Sequence, residues 1–294
     1  MKEKVEFRKV SEFGEIIADT FQFIKQNFKP LLKAVIYLSG VFIIAGMISS
    51  ILTQVQIQEL TQNFDNGTYS DQTDRWNLLF TLRYILFTLF MVLNFTAMYV
   101  SILSFVALYI RKGNIAPNIE EVWSYFKYYF LRVFLSSLVV IPFVMLGFLC
   151  CGIPGIYIFP IMLLFFPVMI LENGSFSHSF ERAFRIVKNE WWITAVTVLV
   201  IFIITAICTT ILQLPSLFIM MISSFTNGAK INSWYEIATA VLLHLAQLFF
   251  IIPIVASAFL YSNLVERKES IGLMERIESL GNTPHQTHHH EEEY

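Results

Sequence analysis

Charge is what this sequence has least of. Only 14% of its 294 residues are Asp, Glu, Lys or Arg, whereas a soluble domain carries about a quarter. That excludes an ordinary water-solvated surface, and with it the broad basic face that nucleic acid requires. Cysteine is scarce as well. The three cysteines are too few for a disulfide scaffold. Cys150 and Cys151 are adjacent and Cys208 lies in an apolar run, so all three are expected to be small buried apolar side chains. There is no zinc-ligand spacing, no Gly-rich phosphate loop and no Ser-His-Asp set that can be assembled. No catalytic residue, metal or cofactor is therefore expected. No long apolar run holds a pair of acids, which argues against a carboxylate ion-coupling site.

What the chain has instead is apolar length. It is 56% hydrophobic, with 29 phenylalanines. A bilayer crossing needs roughly 20 mostly apolar residues, and six runs qualify, at about 31–53, 79–110, 133–151, 155–171, 192–213 and 236–262. The expectation is an all-α polytopic membrane protein with a single six-span domain over 1–280. Pro142, Pro160, Pro167 and Pro253 fall inside spans, where they are expected to kink them. The run 214–225 is too short to cross and is expected to lie in the outer interface or to dip into the bundle. No small-residue cleavage pattern follows the first run, so that run is expected to be a retained span.

Basic residues give the orientation. With the N-terminus inside, the inner segments carry seventeen Lys and Arg, and the outer ones only Arg75, Arg83 and Lys230. Such a bias places both termini in the cytoplasm. Tryptophans fit the same scheme, with Trp76 and Trp234 at outer boundaries and Trp123, Trp191 and Trp192 at inner ones.

The inner segments have a pattern of their own. Each inside-to-outside span follows an amphipathic stretch, at 11–30, 116–130 and 175–192. Ile17, Phe21, Lys25 and Phe28 match Ile119, Trp123, Lys127 and Phe130, and also Phe180, Phe184, Lys188 and Trp191. Each set steps by 4, 4 and 3, one face of a helix. Phe13, Ile16, Ile17, Phe21, Ile24 and Phe28 are read as the apolar face of the first, with Ser11 as its N-cap and Pro30 as its end. The pattern predicts three transmembrane hairpins, each preceded by a cytoplasmic interfacial helix. Any interfacial helix ending in Lys plus an aromatic would also look like this. Lys25, Lys127, Arg182, Arg185 and Lys188 are the candidate contacts to anionic lipid, each basic residue near such a leaflet being worth roughly 1 kcal/mol.

Several segments resemble the membrane domain of some bacterial glycerophosphodiester phosphodiesterases and of related stand-alone multi-span proteins. They are Gly152-Ile153-Pro154-Gly155-Ile156-Tyr157, then Leu171-Glu172-Asn173-Gly174, then Ala183-Phe184-Arg185 through Trp192, with a further likeness in the opening 14–32. The resemblance implies a membrane fold in a bacterial inner membrane. The family's catalytic domain has no counterpart here, so it does not imply hydrolase activity. Gly152, Pro154 and Gly155 also read directly as a tight outer turn.

Polar groups inside spans are the remaining candidates. His244 and Gln247 sit at i, i+3 in the sixth span, and Asn94, Thr209 and Thr210 lie at comparable depth. They form either a binding site or ordinary interhelical hydrogen bonds, worth about 0.6 kcal/mol each on average. Glu172 is positioned to pair with Arg182 or Arg185. Asn66-Gly67-Thr68 reads as a turn. After a cytoplasmic helix at 263–280, the His/Glu-rich tail 281–294 is expected to be disordered rather than metal-binding. Function is thus expected to be non-enzymatic: organising membrane lipids, a second copy or another membrane protein through the inner surface. The alternative is a transporter or channel for a small or lipidic solute.

Overall fold

A computed structural model describes residues 5–7, 9–65, 73–150, 152–225, 233–270 and 274. The tail 281–294, Cys151 and the Asn66-Gly67-Thr68 turn lie outside the described residues, as do the side chains of Arg75, Trp76 and Trp234. Eight helices run in order, α1 (Phe13–Asp65), α2 (Thr73–Arg111), α3 (Ile119–Leu149), α4 (Ile153–Leu171), α5 (Phe176–Val187), α6 (Trp191–Phe225), α7 (Ser233–Ala246) and α8 (Ile251–Glu269). Six helical stretches are long and apolar enough to cross a membrane. The chain is an all-helical, multi-pass integral membrane protein.

The first amphipathic stretch and the first span form one element, α1, broken at Asn27 (φ −109°, ψ 16°). Pro30 is the cause. Its ring clashes with the preceding turn and it has no N–H to donate. The Asn27 side chain donates to Phe23 O at 3.1 Å, so it bonds a carbonyl of the disturbed turn. The buried face is Ile16, Thr20, Phe23 and Asn27. Phe13, Phe21 and Phe28 are exposed, so only part of the apolar face read from the sequence packs into the protein. Phe23 anchors the helix instead, edge-on to Phe105, Tyr109 and Phe259. Phe7 stacks on Phe259 at 3.9 Å. Nor does Ser11 cap α1. Its carbonyl accepts from Asn263 Nδ2 and Arg267 Nη2, and the Glu15 carboxylate holds the Glu12 N–H instead. The chain's start is thereby tied to the end of α8.

The second amphipathic stretch runs into its span without a break. Asn118 and Glu121 form a reciprocal capping box at the start of α3, satisfying two otherwise orphaned N–H groups. Only the third stretch is a helix by itself. Ser175 caps α5 by accepting from His178 N, and a turn at 188–190 separates it from α6. α3 and α4 pair tightly. Gly152 opens α4 in the left-handed region (φ 76°) with Pro154 in the first turn, as a tight reversal needs. Gly155 does something different. A Cβ there would sit 2.6 Å from the Phe148 ring and 2.7 Å from its backbone nitrogen, so it permits close helix approach rather than the turn.

α5 lies along this pair. Its apolar face sets Phe176 against Phe165 and Phe180 against Phe143. Trp191 then stacks on Tyr157 and donates from Nε1 to its carbonyl at 3.0 Å. Trp191 and the 152–157 turn therefore meet, although their assignment to inner and outer boundaries would keep them apart. Burial of α5's aromatic face against α3 and α4 accounts for this. Cys150 is exposed at the end of α3 and Cys208 is half-buried, so neither is the fully buried apolar filler expected.

α6 runs through Pro215 to Phe225. The run 214–225 is therefore a continuation of the helix, not a separate interfacial segment. In an apolar environment one hydrogen bond lost at proline costs less than abandoning the helix. The last crossing is broken instead. A tighter turn with 3-10 geometry at Gln247–Phe250 joins α7 to α8, four residues ahead of where Pro253 withholds its N–H. The C-terminal end of α8, with Leu264 and Val265 buried, finishes at Ser270 in the left-handed region.

Candidate functional site

The intramembrane polar residues converge. Asn94 on α2, Thr209 on α6, His244 on α7 and Gln247 at the α7–α8 break all line one cavity of about 370 Å³. Gly46, Phe87, Met91, Phe202 and Leu243 supply much of the rest of its wall. This is the usual composition of a small-molecule site, apolar with a few convergent polar atoms, near the lower end of the usual size range. Thr210 is exposed and stays outside it.

The polar atoms are only partly used. Asn94 Nδ2 donates to Gln247 Oε1 at 2.5 Å, while Asn94 Oδ1 is buried without a hydrogen-bond partner. His244 is buried, and its Nδ1 donates to Ala240 O at 2.9 Å. That bond leaves Nε2 free of it, and in the neutral ring Nε2 is an acceptor; it faces Gly46, where a Cβ would lie 3.4 Å away. Thr209 donates to its own helix at Ala206 O, so its oxygen remains an acceptor. The sequence could not indicate Gly46, since only the fold shows that its missing side chain makes room for His244.

A second cluster forms at the other end of α8. Glu172, the C-cap of α4, accepts from Arg182 Nε at 3.0 Å and Tyr261 OH at 2.8 Å on one oxygen, and from His178 Nε2 at 2.9 Å on the other. Arg182 in turn reaches Glu269 at 2.6 Å. A negative charge at a helix C-terminus is disfavoured by the macrodipole, and these donors offset it. Burial pushes the Glu172 carboxyl up, yet the bonds from His178, Tyr261 and Arg182 outweigh it and hold the group below the ordinary range. The bond to Glu269 raises Arg182 against the cost of its own burial, with Glu172 adding to the effect. Arg182, not Arg185, is therefore the partner of Glu172. With both oxygens engaged, the carboxylate suits an anchor better than a general base. Tyr261 and His178 were not legible as its partners, nor Glu269 as a second partner of Arg182, all being brought in by packing of α8 and α5.

Of the residues expected to face lipid, Lys25, Lys127, Arg185 and Lys188 are exposed. Lys127 lies 5.5 Å over the Trp123 ring. Arg182 is removed from that set, because two carboxylates already neutralise it. Comparison of the chain with protein-family models, with curated proteins and with solved structures finds no match.

Proposed function

We propose that this chain is a non-enzymatic membrane protein that binds a small amphipathic or lipidic solute inside the bilayer, in the cavity between α1, α2, α6 and α7. The observation that carries the proposal is the apolar cavity of about 370 Å³ holding an unpartnered Asn94 carbonyl oxygen and the His244 acceptor. A buried polar atom without a partner costs about 1–3 kcal/mol. A ligand bearing a hydroxyl or amide donor on an apolar body recovers that cost and fills the space. The cavity is too small for a whole two-chain phospholipid, so a single-chain or compact solute fits best. Carriage of such a solute across or along the membrane is the corresponding role, and the break at Gln247–Phe250 is the natural hinge beside it.

The test is a thermal shift on the purified protein in detergent with 1-decanol and with decane. A ligand that binds only the folded state raises stability with concentration. 1-Decanol is expected to stabilise more than decane, and the difference is expected to vanish in Asn94→Leu/His244→Phe. Equal shifts with both probes, or an unchanged difference in the double variant, would discard the reading.

A second reading concerns the inner surface. The exposed Lys25, Lys127, Arg185 and Lys188, with Lys127 stacked on Trp123, favour contact with anionic headgroups. On this reading the protein also organises lipid or a membrane partner from the cytoplasmic side of a bacterial inner membrane, with both termini on that side. The basic-residue asymmetry supports the orientation. The likeness of 150–195 to the phosphodiesterase-associated membrane domain supports the setting. Replacing all four cations by Gln should halve the anionic lipid that co-purifies, and unchanged lipid content would remove this reading.

A further inference from the structure

Several of the described cations are paired with acids. Lys9, Lys112 and Arg182 each have a carboxylate within 3.0 Å, and Arg267 has one at 3.9 Å. Arg111 and Arg132 differ, for among the described residues neither forms an ion pair. Their partners are neutral. Arg111, the last residue of α2, donates to the Tyr125 hydroxyl and lies 5.5 Å from that ring's centre. Arg132 donates to Asn173 Oδ1 at 3.1 Å, to Gly174 O and to the Tyr128 hydroxyl, 5.3 Å over the Tyr128 ring.

Beside these groups is a cavity of about 280 Å³, lined by Arg111, Ser124, Tyr125, Tyr128, Tyr129 and Asn173. The hydrogen-bond arithmetic points inward. The Tyr125 and Tyr128 hydroxyls accept from arginine, so each has its proton left to donate. Asn173 accepts through its carbonyl oxygen, which leaves its amide group as a double donor. Glu121 is occupied by Lys112 and the Asn118 N–H, and Glu172 by the cluster described above; Glu266 lines a different cavity with Arg111 and does not line this one. The Arg111 guanidinium lines this cavity, and Arg132, just behind its wall, holds Asn173 and Tyr128; a guanidinium with no paired acid among the described residues, flanked by these donors, makes a site for an anion. Planar guanidinium forks match phosphate oxygens in particular. The same two charges repel the quaternary ammonium that three tyrosine rings alone would attract.

We propose that this pocket binds a phosphate monoester or diester, as the headgroup of an anionic phospholipid or as a free phosphate. It lies where α2 ends and α3 begins, on the side that the basic residues assign to the cytoplasm, at the level of lipid headgroups. This site is separate from the solute cavity and from the exposed lysines, and it stands or falls without them.

The experiment is native mass spectrometry of the full chain in detergent with equimolar phosphatidylglycerol and phosphatidylcholine. Wild type is expected to retain phosphatidylglycerol about fivefold over phosphatidylcholine. Arg111→Gln/Arg132→Gln is expected to fall to parity. Lys29→Gln/Lys33→Gln, which removes the same charge from α1, is expected to keep the preference. Addition of sodium phosphate separates the sources. Displacement of the lipid marks a site open to free phosphate, and persistence of the lipid adduct marks a headgroup site. Should the Gln variant fail to fold, Arg111→Lys/Arg132→Lys keeps both charges and loses the fork, and at least a twofold drop in preference is expected. Parity in wild type with no effect of phosphate, an undiminished preference in both arginine variants, or an equal loss in the α1 control would overturn the proposal.

Discussion

Two polar clusters lie at opposite ends of the last crossing, with roughly 25 Å of helix axis between His244 and Tyr261, and they are built on opposite principles. Around Glu172, donors and acceptors are matched. Three side chains donate to one carboxylate, and Arg182 is shared between two acids. Around Asn94 they are not matched. One buried carbonyl oxygen has no hydrogen-bond partner among the described residues, and the polar residues line a cavity. A saturated cluster holds helices together and has nothing to offer a ligand. An unsaturated one contributes little to stability and retains capacity to bind. Disruption should therefore hurt stability at one end and binding at the other.

The largest expected effect is Glu172→Ala, which strips three donors of a charged acceptor. Hydrogen bonds to charged groups contribute about 1.5–3 kcal/mol, and Arg182 retains Glu269, so a loss of about 3 kcal/mol is expected. Asn94→Ala should cost about 1 kcal/mol, near the average for interhelical polar contacts. Denaturant unfolding in detergent measures both, and equal losses would break the comparison. Next comes the arginine pair. Arg182→Gln should destabilise by about 2 kcal/mol, since two carboxylates lose their partner. Arg185→Gln, on an exposed surface, should stay within about 0.5 kcal/mol. If the order were reversed, the assignment of Arg182 as structural would be wrong.

The pH dependence is smaller but sharper. Folding holds the Glu172 carboxyl below its ordinary value. A depressed carboxylate contributes stability that is present above its unfolded value, about 4.3, and is lost as pH falls through its folded one. Wild type and Glu172→Gln should therefore differ by a constant amount between pH 5 and 8, and converge below about pH 4. A gap that widened on acidification would contradict the network, while Asn94→Ala should give a gap that pH does not alter.

The sequence reveals one end of this comparison better than the other. Asn94, Thr209, His244 and Gln247 stand out because a polar residue in an apolar run is conspicuous, and depth alone suggested that they would meet. Glu172 was visible as a boundary acid with Arg182 ten residues on. The rest of the network was not, because Tyr261, which bonds Glu172, and Glu269, which bonds Arg182, arrive from α8 by tertiary packing. Periodicity located the amphipathic stretches but did not show which apolar side chains of the first pack into the protein. Phe23 had no signal to distinguish it from Phe21 or Phe28, and the difference lies in the aromatic cluster that α2 and α8 bring to it. Helix ends were the weakest part. The run 214–225 was read as a separate segment and instead continues α6 through Pro215, whereas the interruption at Gln247–Phe250 falls ahead of Pro253 rather than at it. Arg111 and Arg132 were legible only as inner charges. Nothing in one dimension shows that they lack acids and share tyrosines.

The smallest stability effect is expected at Gly46, and it is the most informative about the cavity. An added methyl would lie 3.4 Å from His244 Nε2, a tight contact that a small shift of the ring relieves. Gly to Ala inside a helix is itself favourable by up to about 1 kcal/mol, so the net change should lie within about 0.5 kcal/mol of zero. The methyl nevertheless occupies the approach to the histidine acceptor. Gly46→Ala should therefore leave unfolding almost unchanged and still reduce the 1-decanol shift at least twofold, with the decane shift unaltered. Thr209→Val supplies the contrast. Its hydroxyl proton is already spent on Ala206 O, so the decanol shift should persist. If Gly46→Ala left the decanol shift intact, the polar atoms around His244 would not be what a ligand meets, and the unsaturated end of the molecule would be a packing defect rather than a site.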